Sequence, residues 1–338
     1  MKILVTGGAG FIGSHTVVEL VNAGYDPVII DNFSNSEKTM LQGLEKILDK
    51  SVKYYENDCN DIASLEKICA EENIEGIIHF AAYKAVGESV QQPLKYYENN
   101  IGSTLNVLEV MLKLNIKNLV FSSSCTVYGQ PDSIPVTEDT PRKPAASPYG
   151  NTKTICEDIL RDTIAAGNAL KIISLRYFNP IGAHPSAHIG ELPRGVPGNL
   201  VPFITQTAIG KREKLTVFGN DYDTPDGTNV RDFIHVVDLA KAHVSALKLL
   251  SEKQDNFYEV FNVGTGRGNT VLEVIKAFEK VNNVKLNYEI GPRRAGDVEK
   301  IYGSVEKAEK LMGWKTEKSL EESVEDAWRW EKKIAENK

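Results

Sequence analysis

The 338-residue chain is short of cysteine, and Cys59, Cys69, Cys125 and Cys156 form no CxxC pair. A disulfide framework and a zinc cluster are therefore not indicated, and reduced thiols are expected. The sequence has no apolar run near the ~20 residues that a membrane span requires, and its opening run, residues 1–6, is too short for a signal peptide. A cytoplasmic setting is expected. Positive charge is not in excess either: 39 Lys and Arg stand against 46 Asp and Glu, a net −7. No global field then draws in nucleic acid or anionic lipid, so any phosphate must be held by local devices. Internal repeats and low-complexity tracts are also absent. The composition, 41% hydrophobic and 25% charged, is that of a globular protein with ample chain for a large α/β unit and an appended lobe.

Short β-branched runs at 3–5, 28–30, 52–55, 76–80, 119–122 and 172–175 alternate with helix-length segments. Near-continuous apolar strands separated by helices indicate a parallel sheet covered on both faces, a doubly wound α/β fold of Rossmann type. Ligands then bind at the carboxyl ends of the strands. Composition shifts after Arg176-Tyr177-Phe178-Asn179-Pro180 into three irregular stretches, at 181–201, 220–227 and 291–297. The expected division is a dinucleotide-binding domain over 1–178, to which about 232–260 returns, and a smaller C-terminal α/β substrate lobe over 179–338. Residues 235–250 and 319–338 read as helices.

The first strand runs into Gly7-Gly8-Ala9-Gly10-Phe11-Ile12-Gly13, which opens a helix expected over 11–23. Without Cβ atoms such a turn lets the backbone approach a pyrophosphate, whose charge meets the free N–H groups of the helix. Asp31 ends the second strand, where an acid bonds an adenosine ribose, and would repel a 2′-phosphate. NAD is therefore favoured over NADP, with Lys38 the one nearby cation that points the other way. Asp58-Cys59 and Phe80-Ala81-Ala82-Tyr83-Lys84 follow the third and fourth strands, on the path of the adenine and nicotinamide ends.

Tyr149 and Lys153 stand four apart, so a helix beginning here puts them on one face. Tyrosine is a poor base at neutral pH, but a neighbouring ammonium lowers its pKa. Ser122-Ser123-Ser124 closes the fifth strand, where a hydroxyl can share the proton path. A nucleotide turn, a strand-end serine and YxxxK in this order point to proton transfer through the tyrosine beside a nicotinamide. His184 and His188, four apart, imitate metal ligands, but Pro185 between them argues against a helix and for loop histidines; no metal is expected.

The segments GGAGFIG, SSSCTVYG, SPYGNTK, RYFNPIGAHP, PGNLVPFI, DGTNVRDFIHVVDLA and RRAGDVEK together resemble the UDP-glucose 4-epimerase (UDP-galactose 4-epimerase) branch of the extended short-chain dehydrogenase/reductase family, from the first strand to roughly residue 330. The first motifs mark the wider family and the later ones that branch. The resemblance implies an isomerase of galactose and nucleotide-sugar metabolism that inverts C4 through a transient 4-keto sugar, with NAD held tightly and not consumed. It implies Tyr149 as proton acceptor, Ser124 on the 4-oxygen and Lys153 on the nicotinamide ribose. Along NAD it implies Gly7, Gly10, Phe11, Ile12, Gly13, Asp31, Asn32, Asn35, Ser36, Asp58, Cys59, Phe80, Ala81, Ala82, Lys84, Asn99, Ser122, Tyr177 and Phe178. On the UDP-sugar it implies Lys84, Asn179, Asn199, Leu200, Phe218, Arg231, Arg294, Asp297 and Ile301, the arginines toward the diphosphate and Asp297 toward the uridine ribose. A homodimer through helices containing 105–114 and 155–164 is implied as well; periodicity alone does not separate such a seam from core.

Where many members carry Tyr or Cys beside the sugar this chain has Ile301, which leaves open the preference between plain and N-acetylated hexoses. The rival readings on the same scaffold are a 4,6-dehydratase or a decarboxylase. A dehydratase needs an acid pair after the fifth strand, and Cys125-Thr126 stand there. A dehydrogenase exchanging free NAD(H) and a non-catalytic dinucleotide sensor are the remaining alternatives; an intact Ser124, Tyr149 and Lys153 disfavours the sensor.

Overall fold

The computed structural model describes residues 1–294 and 297–336. Its first half is a run of βα steps: β1 (Lys2–Thr6), α1 (Phe11–Asn22), β2 (Asp26–Asp31), α2 (Thr39–Leu48), β3 (Lys53–Glu56), α3 (Ile62–Glu72), β4 (Gly76–His79), α4 (Val86–Gln91), α5 (Pro93–Leu114), β5 (Asn118–Ser124), α6 (Pro148–Ala165) and β6 (Lys171–Tyr177). The second half contributes β7 (Asn179–Ile181), α7 (Leu200–Ala208), β8 (Leu215–Phe218), β9 (Val230–Arg231), β10 (Phe233–His235), α8 (Val236–Glu252), β11 (Phe257–Val263), β12 (Asn269–Thr270), α9 (Val271–Asn282), β13 (Tyr288–Gly291), β14 (Lys300–Ile301), α10 (Glu306–Met312) and α11 (Leu320–Glu336).

Seven strands form one parallel sheet in the order β11-β6-β5-β4-β1-β2-β3. The apolar runs exist because both faces are covered. In β1, Ile3 and Val5 enter the core under α1 and α8 while Leu4 enters the opposite core under α3 and α5; Ile78 and Ile77 divide the same way in β4. Each such residue, wholly removed from water, contributes about 1.5–3 kcal/mol. The order of the strands reverses between β1 and β4, and the crevice above their carboxyl ends is where this topology places a ligand.

The seventh strand, β11, adds to the sequence reading, which expected about 232–260 to return to the first domain and named no strand there. It pairs with β6 from Phe257↔Lys171 to Val263↔Tyr177. Its first four residues are only half-buried, as befits an edge, which admits Glu259, while the buried Asn262 is accommodated by accepting from the Tyr128 hydroxyl and donating to the Val136 carbonyl.

The smaller lobe has its own core, in which Ile204, Val274, Ile275 and Phe278 meet Val324 and Trp328 of α11. Its strands are short: β8 pairs with β13, and β9 lies between β12 and β14. Alpha9 starts where Thr270 and Glu273 cap each other across the first turn.

Candidate active site

The glycine turn is fixed by close approach. Gly7 takes φ +68°, and a Cβ on Gly13 would stand 2.3 Å from the Gly7 carbonyl oxygen. Alpha1 begins at Gly10 without a side-chain cap, leaving its first N–H groups open to an anion. The Asp31 carboxylate accepts from the Ala9 N–H at 3.0 Å, the Phe33 N–H at 2.9 Å and the Ser36 hydroxyl at 2.7 Å, which ties the turn to the end of β2. Lys38 is ion-paired with Glu56 at 2.5 Å, so the cation that spoke for a 2′-phosphate is neutralised. Glycines that a Cβ would disrupt, an uncapped helix start and an acid at the second strand's end fit a dinucleotide lacking that phosphate.

A polar chain runs along the neighbouring strand ends. Asn32 donates to Asp58 at 2.8 Å, Asn60 donates to Asp58 and to Asn99, and Asn99 donates to Asn100 at 2.9 Å. Cys59 is buried and its thiol pushed upward by burial, so it lines the path as a small apolar group. The Thr6 hydroxyl accepts from the Phe80 and Ala81 N–H groups at 3.1 and 3.2 Å, fixing the turn that carries Phe80, Ala81, Ala82 and Lys84. Asn35 is exposed, between Ser34 and Ser36.

Alpha6 starts as expected: Pro148 opens it, and the Ser147 hydroxyl caps the Gly150 N–H at 3.2 Å. Tyr149 and Lys153 fall on successive turns. Ser124 ends β5 beside Tyr149, and its hydroxyl pulls the phenol pKa down. Burial outweighs it and pushes Tyr149 up to about 12. The Lys153 ammonium donates to the Ser122 carbonyl at 2.6 Å and lies over the Phe121 ring, and burial holds it down at about 8. Ser122 bonds the Tyr177 hydroxyl, and Phe178 packs with Cys125 and Ile301.

Sequence reasoning missed Glu157 and Arg176. Glu157 accepts from both Arg176 Nε at 2.8 Å and Nη2 at 2.6 Å, and from the Ser123 hydroxyl at 2.5 Å. All three side chains are buried beside β5. The signal was available, since Glu157 continues the face of Tyr149 and Lys153 by one more step of four. Arg194 was missed too; its guanidinium donates to the Ser34 and Ser36 carbonyls.

The residues expected on a UDP-sugar gather beside this set from separate stretches. Arg231 and Ile301 are paired in register on β9 and β14. Asp297 lies 2.7 Å from Arg294 and 3.9 Å from Arg231, so its carboxylate serves the two arginines rather than standing apart from them. Burial lowers the Arg231 pKa, and Arg294 lies over the Phe218 ring. Asn179 is half-buried and takes a backbone bond to Asp232. Asn199 precedes Leu200 at the start of α7, and its amide donates to Glu191 at 2.7 Å. His184 bonds Ser186, and His188 lies against Lys333.

A glycine-turn parallel sheet with serine, tyrosine and lysine at the end of its fifth strand defines an extended short-chain dehydrogenase/reductase. Comparison with known proteins narrows this. Residues 4–327 match the family model described as GDP-mannose 4,6 dehydratase. UDP-glucose 4-epimerase of Haemophilus influenzae is 51% identical over 332 residues, covering 98% of each chain. That of Bacillus subtilis is 52% identical over 332 residues, covering 98% of this chain and 97% of its own. Among solved structures, UDP-glucose 4-epimerase from Bifidobacterium longum in complex with NAD+ and UDP superposes with TM-score 0.95 at 48% identity, covering 99% of both chains. UDP-glucose 4-epimerase from Stenotrophomonas maltophila, with bound NAD and formylated UDP-arabinopyranose, gives 0.97 at 42% identity, covering both chains fully. The chain belongs to the UDP-glucose 4-epimerase family.

Proposed function

We propose that Tyr149, Ser124 and Lys153 serve a reversible C4 epimerisation of UDP-galactose and UDP-glucose that runs through a 4-keto sugar with NAD retained throughout. The observation that carries this reading is the convergence of Ser124 and Tyr149 at the end of β5 with Cys125-Thr126, and no carboxylate, immediately after them. Dehydration has no acid there; epimerisation asks only that one proton leave the 4-oxygen and return.

Gly7, Gly10 and Gly13, with the α1 N–H groups and Asp31, would hold the dinucleotide. When bound, oxidised NAD supplies a hydride acceptor for C4 and a positive charge that favours the Tyr149 phenolate. Tyr149 takes the proton of the 4-hydroxyl, and Ser124 holds the same oxygen. Lys153, tethered to the Ser122 carbonyl, keeps α6 at a fixed distance from β5. Arg231, Arg294 and Asn199 anchor the UDP end, so the pyranose is free to present its other face before C4 is reduced again. Binding strength concentrated on the diphosphate suits that requirement, because guanidinium–phosphate pairs are strong and directional.

In this reading 1–178, with the return through α8 and β11, carries the cofactor, and the lobe from 179 onward carries the UDP-sugar. Pairing of two copies through α5 and α6 is supported by Leu105 and Leu112, 42% and 43% exposed on α5. A cytoplasmic location is supported by four buried free thiols. Among the described residues, no helix is long and apolar enough to cross a membrane.

The test is to desalt the purified protein, add UDP-galactose without NAD, and follow the anomeric proton signals by NMR. UDP-glucose should appear with no net oxidation. Absence of the epimer although NAD is bound would overturn the substrate assignment.

A further inference from the structure

We propose that Glu191, which neither the motifs nor the proton chemistry draws upon, is the positioning residue that sets the substrate-facing groups Lys84 and Asn199 against each other across the cleft. This rests on the reading of the cleft as a UDP-sugar site. One carboxylate oxygen, Glu191 Oε1, accepts from the Asn199 amide at 2.7 Å and lies 3.5 Å from Lys84 Nζ. Lys84 comes from the loop after β4, and Asn199 from the lobe at the head of α7. The Glu191 side chain is only 12% exposed, whereas that of Lys84 is 45% exposed.

The segment that carries Glu191 is firmly seated. It follows a small hairpin in which Ala183 bridges Gly190, and the Glu191 carbonyl accepts from the Trp330 indole at 2.9 Å. A Cβ on Gly190 would stand 2.5 Å from the Trp330 ring, and one on Gly43 of α2 would stand 2.1 Å from the His188 carbonyl. The carboxylate is therefore held from a rigid base pinned on both sides.

Asn199 shows what this does. It occupies the cap position of α7 in extended backbone, where an asparagine side chain ordinarily accepts from its own helix, yet it makes no such bond. The third helical residue is Pro202, which has no N–H, so the one N–H open to that cap is Val201. Glu191 takes the amide instead. One Asn199 N–H is spent on it, which fixes the direction of the second N–H and of the carbonyl, and the start of α7 stays uncapped toward the anionic ligand. An ammonium has three donors, so Lys84 can face Glu191 and still offer donors to the sugar diphosphate.

The test compares Glu191→Ala and Glu191→Gln with wild type, each with NAD bound, reading kcat and KM for UDP-galactose, the dissociation constant of UDP by calorimetry, and the thermal midpoint. Glu191→Ala should raise both KM and the UDP constant about tenfold with kcat within about threefold, since the group lost orients ligand-binding donors and not the proton path. Its thermal midpoint should hold, because the freed Asn199 can cap Val201. Glu191→Gln keeps an oxygen for Asn199 and should recover most of the affinity. UDP affinity and KM within twofold of wild type in the alanine variant, or kcat lost with KM unchanged, would overturn the proposal. Should the alanine variant not fold, a glutamine variant with kcat reduced and UDP affinity intact would overturn it equally. Failure of the epimerase reading itself would show separately, as wild-type protein that binds UDP and forms no epimer.

Discussion

The two halves of the cleft are built in opposite ways. On the sheet side the surface proposed for the cofactor is backbone: Gly7, Gly10, Gly13 and the first turn of α1, locked by Asp31 within a segment of thirty-odd residues. On the lobe side the surface proposed for the UDP-sugar is side chain: Arg231, Arg294, Asp297 and Asn199, delivered by loops and two-residue strands far apart in sequence. A backbone cradle holds one ligand in one pose, which suits a cofactor that stays. A ring of long side chains gripping one end of a substrate leaves its other end free, which suits a sugar that must turn over between two half-reactions.

The largest effect is expected at the point where the halves meet. Tyr149→Phe removes the proton acceptor and should lower kcat by about 10²–10⁴-fold while UDP and NAD still bind, as calorimetry and cofactor absorbance would show. Loss of both ligands in that variant would mean the tyrosine is structural.

Acid should strike the sheet side first. His15, His79 and His243 lie beneath it, buried and held neutral by desolvation, with pKa values lowered to about 3, about 3 and about 4. The folded values are below the unfolded value, so the unfolded chain takes up protons first and stability falls as pH drops through 6.5. Between pH 7 and 5.5 each histidine removes about 1.3 kcal/mol. Asp232, raised by burial to about 6, has the opposite sign and returns somewhat less than 1 kcal/mol over that span. Urea unfolding should therefore show a net loss of about 3 kcal/mol, and a flat profile would show that these imidazoles are hydrated.

Gly13→Ala should break the cradle alone. With its Cβ 2.3 Å from the Gly7 oxygen the turn must move, at about 1–3 kcal/mol, and the purified protein should lose most of its 260 nm-absorbing cofactor while UDP affinity holds. The mirror experiment, Arg231→Ala, should raise the UDP constant about tenfold and leave the cofactor in place. If either variant loses both ligands together, the division between the halves is wrong.

Much of the sheet side was legible because its causes are local. The inner strands appeared as apolar runs since both faces are buried, and the glycines appeared because a turn this close admits no Cβ; β3, at the sheet's other edge, is mostly exposed and showed only through Val52 and its two tyrosines. Beta11 escaped because its run is broken by Glu259, half-buried at the edge, and by Asn262, buried but hydrogen-bonded to Tyr128 and Val136. The pairing of Arg231 with Ile301 could not be read from two-residue strands whose positions are set by the lobe's core. Residues on the lobe side were reached through resemblance to a family and not through spacing, and Glu191 through neither. The burial that raises Tyr149 was not legible either, since desolvation is a property of the packed state and leaves no mark in YxxxK.

The central claim is that the hydrogen removed from C4 returns to the same carbon within a closed cycle. Incubating desalted protein with UDP-[4-²H]galactose in ordinary water and examining the product by NMR and mass spectrometry tests it directly. UDP-glucose that retains deuterium at C4 is the expected result; UDP-glucose with the label exchanged into solvent would contradict it.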